Sequence, residues 1–267
     1  MRLLFTFWAV LQMNFICCQN MTFLYEVSYK SSPNESISKT ENYYLDLFGS
    51  ESVFRSENDR QTDSIVYNNG RAFANYIDFN QLYCRKNINT KKVYKTVTTP
   101  LYNDVFDILA EDINWKVLPE TMMIADMNCQ KAVLEYGGRN WEAWFTVRIP
   151  IQEGPYVFYG LPGLIVKISD EKKNYSFSLV ESHKSEQSNL FRIRKGKLID
   201  WAMFEKIQRN FYSEPFAELK ARNTKMIVTD DKGNKLDRNY DDMSEKMRIT
   251  LRARNNPVEL NHKIDYK

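Results

Sequence analysis

The chain is 267 residues long with a formal net charge of +3, and its acidic and basic residues are interspersed, so no one-sided field is available to steer a polyanion. No arginine-aromatic cluster of the kind that follows a nucleic acid is present, which argues against that class of partner. The length suffices for one large domain, and sixteen Tyr and sixteen Phe favour a β-rich core whose pleated faces suit flat rings.

Met1 and Arg2 give a positive start, Leu3 to Cys17 are almost uninterruptedly apolar, and the chain turns polar at Gln19 and Asn20. This pattern predicts a signal peptide over 1–18, with Gln19 as the new N-terminus, although Ile16 is larger than the residue usually found two places before the cut. Cys17 and Cys18 raise the rival of lipid attachment, opposed by Asn14, Phe15 and Ile16, which are not the small residues that normally precede such a site. The apolar run is shorter than the ~20 residues a membrane-spanning helix needs, and no other stretch approaches it, so no transmembrane segment is expected once the leader is removed.

Thr22–Tyr29 alternates apolar and polar positions and predicts a first strand. A polar loop over Lys30–Thr40 leads to strands at Tyr43–Phe48 and Ser52–Ser56, after which Arg55–Asn69 reads as a charged surface segment. Ile77–Lys86 and Lys92–Thr98 resume the strand pattern, and Trp115–Leu118 and Met122–Met127 predict two more short strands. Gln130–Tyr136 and Arg139–Val147 are joined by Gly137-Gly138, the signature of a hairpin with a primed turn, because glycine takes positive φ at little steric cost. Large rings on both sides of the second arm predict that both of its faces are covered. Leu164–Ile168 and Tyr175–Glu181 predict a further antiparallel pair, with Leu190–Arg194 as a final strand.

From Ile199 the period changes to three and four, with Trp201, Phe204, Ile207 and Phe211 on one face and Asp200 as a cap. Pro215 interrupts this helix, and Arg238–Arg254 predicts a second, ending at Asn255-Asn256-Pro257. The expected fold is mainly β with C-terminal helices (α+β): an antiparallel, strongly curved sheet or incomplete barrel. Residues 19–198 form the β-rich domain, and 199–267 a helical part packed on it.

Two prolines and three glycines crowd Gly154–Gly163. A phosphate cradle requires a helix after its glycines; here a strand follows, so a structural bend is the favoured reading. Pro162-Gly163 predicts a type II turn with positive φ at Gly163, delivering Leu164, Val166 and Ile168 to the interior. The segment WEAWFTVRIPIQEGPYVFYGLPGLIVKISD (141–170), with Cys129 upstream and NNPVEL (255–260) near the end, resembles the GLPGLI family of Bacteroidota, named after the hexapeptide Gly160, Leu161, Pro162, Gly163, Leu164 and Ile165. The resemblance implies an exported protein of a Gram-negative bacterium, in the periplasm or at the outer membrane. Trp141, Trp144, Gly154, Pro155, Gly160, Pro162 and Gly163 match the motif, which carries no established activity and assigns none of them a role.

Chemistry is sparse. His183 and His262 are the only histidines, no Gly-x-Ser-x-Gly elbow is present, and no Cys or His pair has metal-ligand spacing, so neither a hydrolase triad, a metal nor a cofactor is indicated. Asp230-Asp231 and Asp241-Asp242 read as solvated turn acids. Cys84 and Cys129 suffice for one disulfide, whose loop of roughly 45 residues contributes about 4 kcal/mol in the chain-entropy picture; two buried free thiols are the alternative.

Glu142, between two tryptophans, is the acid to check first, with a raised pKa if buried, against the alternative of an ion pair with Arg139 or Arg148. The favoured function is binding or assembly, with Trp141, Glu142, Trp144, Tyr156 and Tyr159 contacting an outer-membrane protein partner or a small apolar or sugar-like ligand. The alternative is a carboxylate-dependent hydrolase of exported polymers.

Overall fold

A computed structural model describes residues 20–67, 76–185, 193–224 and 239–267, together with two short paired strands at 228–229 and 235–236. The expected leader, with Cys17 and Cys18, and the acidic pair Asp230-Asp231, expected to lie in a turn, are outside the described residues.

Twelve strands form one mixed sheet that does not close: β1 Met21–Tyr29, β2 Lys39–Phe48, β3 Glu51–Ser56, β4 Tyr83–Asn87, β5 Lys92–Thr98, β6 Val105–Leu109, β7 Lys116–Ile124, β8 Met127–Tyr136, β9 Arg139–Thr146, β10 Leu164–Asp170, β11 Tyr175–Lys184 and β12 Lys197–Ile199. Their order is β12-β6-β5-β4-β3-β2-β1-β11-β10-β9-β8-β7, antiparallel except for the β12–β6 pair. The chain thus meanders outward from β1 to β6, crosses to the opposite edge, and meanders back from β7 to β11, which pairs with β1.

That crossing forces curvature. Ten strand spacings separate β6 from β7 in this order, about 48 Å if the sheet were flat. The link from Leu109 to Lys116 reaches only about 25 Å fully extended. The sheet must therefore curl until its two ends approach, and the result is an incomplete barrel.

The expected alternation holds where one face lines the interior. Phe23, Tyr25 and Val27 of β1 are fully buried, as are Trp141, Ala143 and Phe145 of β9. The hairpin turn has φ of 60° at Gly137 and 70° at Gly138, as the primed type requires. The opposite face of β9 is only half-buried, so the expectation that both sides are fully covered does not hold: Trp144 is shielded by the Lys131 ammonium, 5.8 Å from its ring centre, and not by another layer.

Several local expectations are corrected. Residues 55–67 are a polar surface segment only in part: Arg55 is fully buried in β3, and Glu57–Tyr67 is helix α1, which exposes Glu57, Asn58 and Gln61 but buries Asp59 and Asp63, with the Ser56 hydroxyl accepting from the Asp59 amide. Ionic pairing overrode the usual exposure of charge there. β4 begins only at Tyr83, β6 was not expected, and the two short strands foreseen around 115–127 are one strand, β7, with a bulge between Val117 and Thr121 beside Pro119. Of the strand expected over 190–194, residues 190–192 lie outside the described residues and the rest is not strand.

Helix α2, Trp201–Ser213, is capped by Asp200, whose carboxylate accepts from the Met203 amide at 2.8 Å. After the short α3, Ala217–Ala221, helix α4 spans Tyr240–Ala253, and its first turn carries Asp241 and Asp242, where the helix dipole favours them. Phe204, Phe211 and Leu251 pack on Phe79, Val97 and Ile108 as a second, smaller core. No described helix is long and apolar enough to cross a membrane.

The main core is filled by the connection from Ile149 to Gly163. The Phe158 ring meets Trp115, Tyr136, Trp141, Tyr156 and Phe177 at centroid distances between 4.7 and 6.4 Å. The bend does deliver Leu164, Ile165, Val166 and Ile168 to the interior, yet its turn differs from the expected one. Positive φ, +88°, falls at Gly160, while Gly163 is small for another reason: a Cβ there would sit 2.0 Å from the Thr146 carbonyl oxygen. Urea unfolding should separate the two, with Gly163→Ala losing about 3 kcal/mol or more through overpacking against backbone and Gly160→Ala, with open space around it, about 1 kcal/mol.

Candidate functional site

Lodging an irregular segment inside a barrel strands polar groups, and a set of buried charges satisfies them. Glu153 accepts from Lys86 Nζ at 2.5 Å and Ser52 Oγ at 2.7 Å, while Lys86 also donates to the Gly154 carbonyl. Glu259 accepts from Lys95 Nζ at 2.9 Å, Tyr156 OH at 2.6 Å and Tyr136 OH at 3.2 Å. Arg139 donates to the carbonyls of Val258 and Pro257 and to Asn256 Oδ1, and pairs with Asp170. The hexapeptide region and the NNPVEL segment are thus two halves of one buried clamp. Gly137 belongs to it as well, since a Cβ there would meet the Glu259 Cα at 2.9 Å.

Burial pushes the Glu259 carboxyl up, but Lys95 and the hydrogen bonds it accepts outweigh this and hold it below the usual range. Burial and the Glu259 charge push the Tyr156 and Tyr136 phenols well up. A glutamate, a lysine and two tyrosines in contact resemble proton-transfer machinery, but all four are buried and the adjoining cavity of about 10 Å³ holds one water at most. The cluster is closed to any substrate.

Of the residues singled out from sequence, Trp141 and Glu142 border one opening of about 680 Å³ with Lys116, Asn140, Ser169 and Lys173, and the others do not join them. Trp141 is buried and donates Nε1–H to the Tyr136 carbonyl, and Tyr156 is buried in the clamp. Trp144 and Glu142 lie on the outer face, and Tyr159 reaches the Lys91 carbonyl from the barrel's rim. Glu142 is paired with Lys131 at 2.8 Å, not with Arg139 or Arg148. The hydrogen bond from Lys131 is the chief cause of a lowered Glu142 pKa, the reverse of what a proton-donating acid needs. His183 is exposed near Glu181, and His262 stacks on Trp201 at 3.9 Å while bonding Glu111. Among the described residues no group of three or more His, Cys, Asp or Glu is placed to hold a metal.

A second polar opening is one that sequence reasoning missed. A cleft of about 600 Å³ lies where the ends of β1, β2 and β11 meet the start of α1, the 76–82 segment and Arg254. Tyr29, Tyr43, Tyr76 and Tyr175 line it together with Glu41, Glu57, Asp59 and Asp78. Beneath it runs an ion network: Arg55 bridges Asp46 (3.1 Å) and Asp63 (2.6 Å), and Arg194 bridges Asp63 (2.9 Å) and Asp59 (3.3 Å). Tyr76 donates to Asp59, and Arg254 pairs with Asp78 at 2.5 Å. These residues are separated by up to 225 positions in the chain, from Tyr29 to Arg254, and carry no shared spacing. The only sequence-level trace is that Tyr29 and Tyr175 close the ends of two expected strands, which pair directly.

Residues 137–167, from the hairpin glycine into β10, match a family described as "Protein of unknown function (Porph_ging)". No curated protein matches the chain. Two solved structures of PNGF-II, in C2 and P21 space groups, are similar to it, with TM-scores of 0.50 and 0.48 and 15% identity in both. They cover 71% of this chain but 32% and 33% of theirs, so this chain spans about a third of that protein's length. The likeness is one of fold alone.

Cys84 on β4 and Cys129 on β8 are both buried and both free, on strands seven places apart in the sheet, so the candidate disulfide is not formed. Burial pushes the Cys84 thiol up to about 12 and raises that of Cys129. A chain beginning at Gln19, kept without reductant, should show two thiols reactive to a colorimetric disulfide reagent only after denaturation, because the thiolate is the reacting species.

Glu259 supplies a pH signature. Its folded pKa is held below the ordinary 4.5, so the stability it contributes is complete above that value and is lost as pH falls through it toward the folded pKa. Glu259→Gln should cost about 3–5 kcal/mol near neutral pH by leaving Lys95 buried without a counter-charge, and should flatten the acid limb of the stability profile measured by urea unfolding.

Proposed function

We propose that this is an exported envelope protein of the GLPGLI type that binds a small polar ligand in the cleft formed by Tyr29, Glu41, Tyr43, Asp59, Tyr76 and Arg254. One observation carries the reading: the barrel interior, where curled sheets of this kind often hold ligands, is filled by Tyr156, Val157, Phe158 and Leu161. Room for a ligand is therefore sought outside it, and the cleft combines aromatic walls with polar groups fixed by ion pairs, the usual make-up of a recognition site. Export is supported by the apolar run Leu3–Cys17 behind Arg2, and periplasmic or outer-membrane residence by the hexapeptide resemblance.

The hydrolase reading finds less support. Glu142 is held as an ion pair, and in the cleft Asp59 and Asp78 are each committed to an arginine.

Ligand-detected NMR of the Gln19-started chain with a library of envelope sugars and amines should identify binders, and Tyr29→Ala should weaken their binding at least about tenfold. Binding that is indifferent to both Tyr29→Ala and Arg254→Ala would place the ligand elsewhere. Recovery of one stoichiometric outer-membrane protein in a pull-down, with no small-molecule binding, would move the function to assembly.

A further inference from the structure

The cleft contains one group whose state its protein surroundings do not explain. Tyr43 is only 8% exposed, with its ring stacked on Phe54 at 5.2 Å, yet its hydroxyl has no hydrogen-bond partner among the described residues and opens onto the cleft. Its ring is withdrawn from water while its oxygen still meets the solvent of the cleft, so a ligand's polar group can bond it without displacing a protein partner.

What stands next to it selects the chemistry. Of the four carboxylates lining the cleft, Asp78 is neutralised by Arg254 and Asp59 by Arg194. Glu41 has only the Tyr29 hydroxyl, at 2.8 Å, and a neutral donor does not cancel its charge. Glu57 has no ion pair among the described residues, although its place in the first turn of α1 is favoured by the helix dipole. Lys39, two positions before Glu41, gives its ammonium to Ser31 Oγ at 3.0 Å and pairs with neither acid.

The rings divide the same way. Arg194 lies over Tyr76 and Arg139 over Tyr175, whereas no described cation lies over Tyr29 or Tyr43. The Glu41 charge raises the pKa of both phenols, after burial and, for Tyr29, its own hydrogen bond, as expected of a locally negative pocket.

We propose that Glu41, Tyr43 and Tyr29 form a seat for the protonated primary amine of a small ligand. The ammonium pairs with the Glu41 carboxylate, donates to the Tyr43 hydroxyl oxygen and lies against the half-buried Tyr29 ring, whose stacking on Tyr175 leaves its other face for a cation–π contact. The inference rests on the reading of the cleft as a ligand site and adds the charge of the ligand to it.

Calorimetric titration of the Gln19-started chain with glucosamine, glucose and cadaverine tests it. Glucosamine and cadaverine should bind, glucose about tenfold more weakly or not at all, and added salt should weaken the amines. Glu41→Gln, which keeps an acceptor for Tyr29, should weaken the amines about tenfold. Tyr43→Phe should weaken them several-fold while leaving the thermal midpoint unchanged or higher, because the lost hydroxyl had no partner in the free protein. Equal binding of glucose and glucosamine, with the same sensitivity to Tyr29→Ala, would overturn the amine seat and leave the cleft as a binding site. Failure of both amines to bind would also overturn it, and if no library compound responded to Tyr29→Ala the cleft reading would fall with it.

Discussion

A bent segment lodged in an apolar interior needs partners for its polar groups, and here Lys86 and Glu153 supply them to its backbone and Lys95 and Glu259 to its Tyr156 hydroxyl, all from under 4% exposure. Everything else in the molecule is arranged around that requirement. Desolvating two ion pairs is costly, and it is tolerated because each charged group also meets a hydroxyl or a carbonyl: Ser52 for Glu153, Tyr156 and Tyr136 for Glu259, the Gly154 carbonyl for Lys86. The C-terminal segment is held inside by the same contacts, so the end of the chain is structurally part of the barrel's interior.

The clamp also explains where the glycines are. With nine in the chain, those at 137, 154 and 163 stand where backbone or side chain from another segment approaches within 3.0 Å of where a Cβ would be. They mark close approach, and only Gly137 among them also needs positive φ. Likeness among chains that carry this motif has a physical basis in packing that requires no catalytic role.

Filling the barrel has a consequence for function. A curled sheet with an empty interior offers its concave side to a ligand; this one spends that side on its own connection, and the tyrosine-walled cleft lies at the strand ends, over a rigid ion network. Arg55, Asp46, Asp63 and Arg194 hold the cleft floor in one geometry, and Tyr43, Glu41 and Glu57 line it without a charged partner among the described residues.

Local pattern alone determined a good deal: the Gly137-Gly138 hairpin, the inward positions of β1 and β9, the Asp200 cap and period of α2, and a curved antiparallel sheet with helices at the end. These are legible because each depends on neighbours within a few residues, through turn chemistry, a two-residue period or a capping bond. The helix after Arg55 was not legible, since its polar face is buried by ion pairs that no periodicity encodes. Tertiary structure alone decided which aromatic face met water, so that Trp141 and Tyr156 became core while Tyr29 and Tyr43 came to line a cleft. It also decided that Gly163 serves Thr146 and that Lys95 finds Glu259 across 164 positions. Alternation says that a strand has two faces; which one is inside depends on how far the sheet curls and on what fills it.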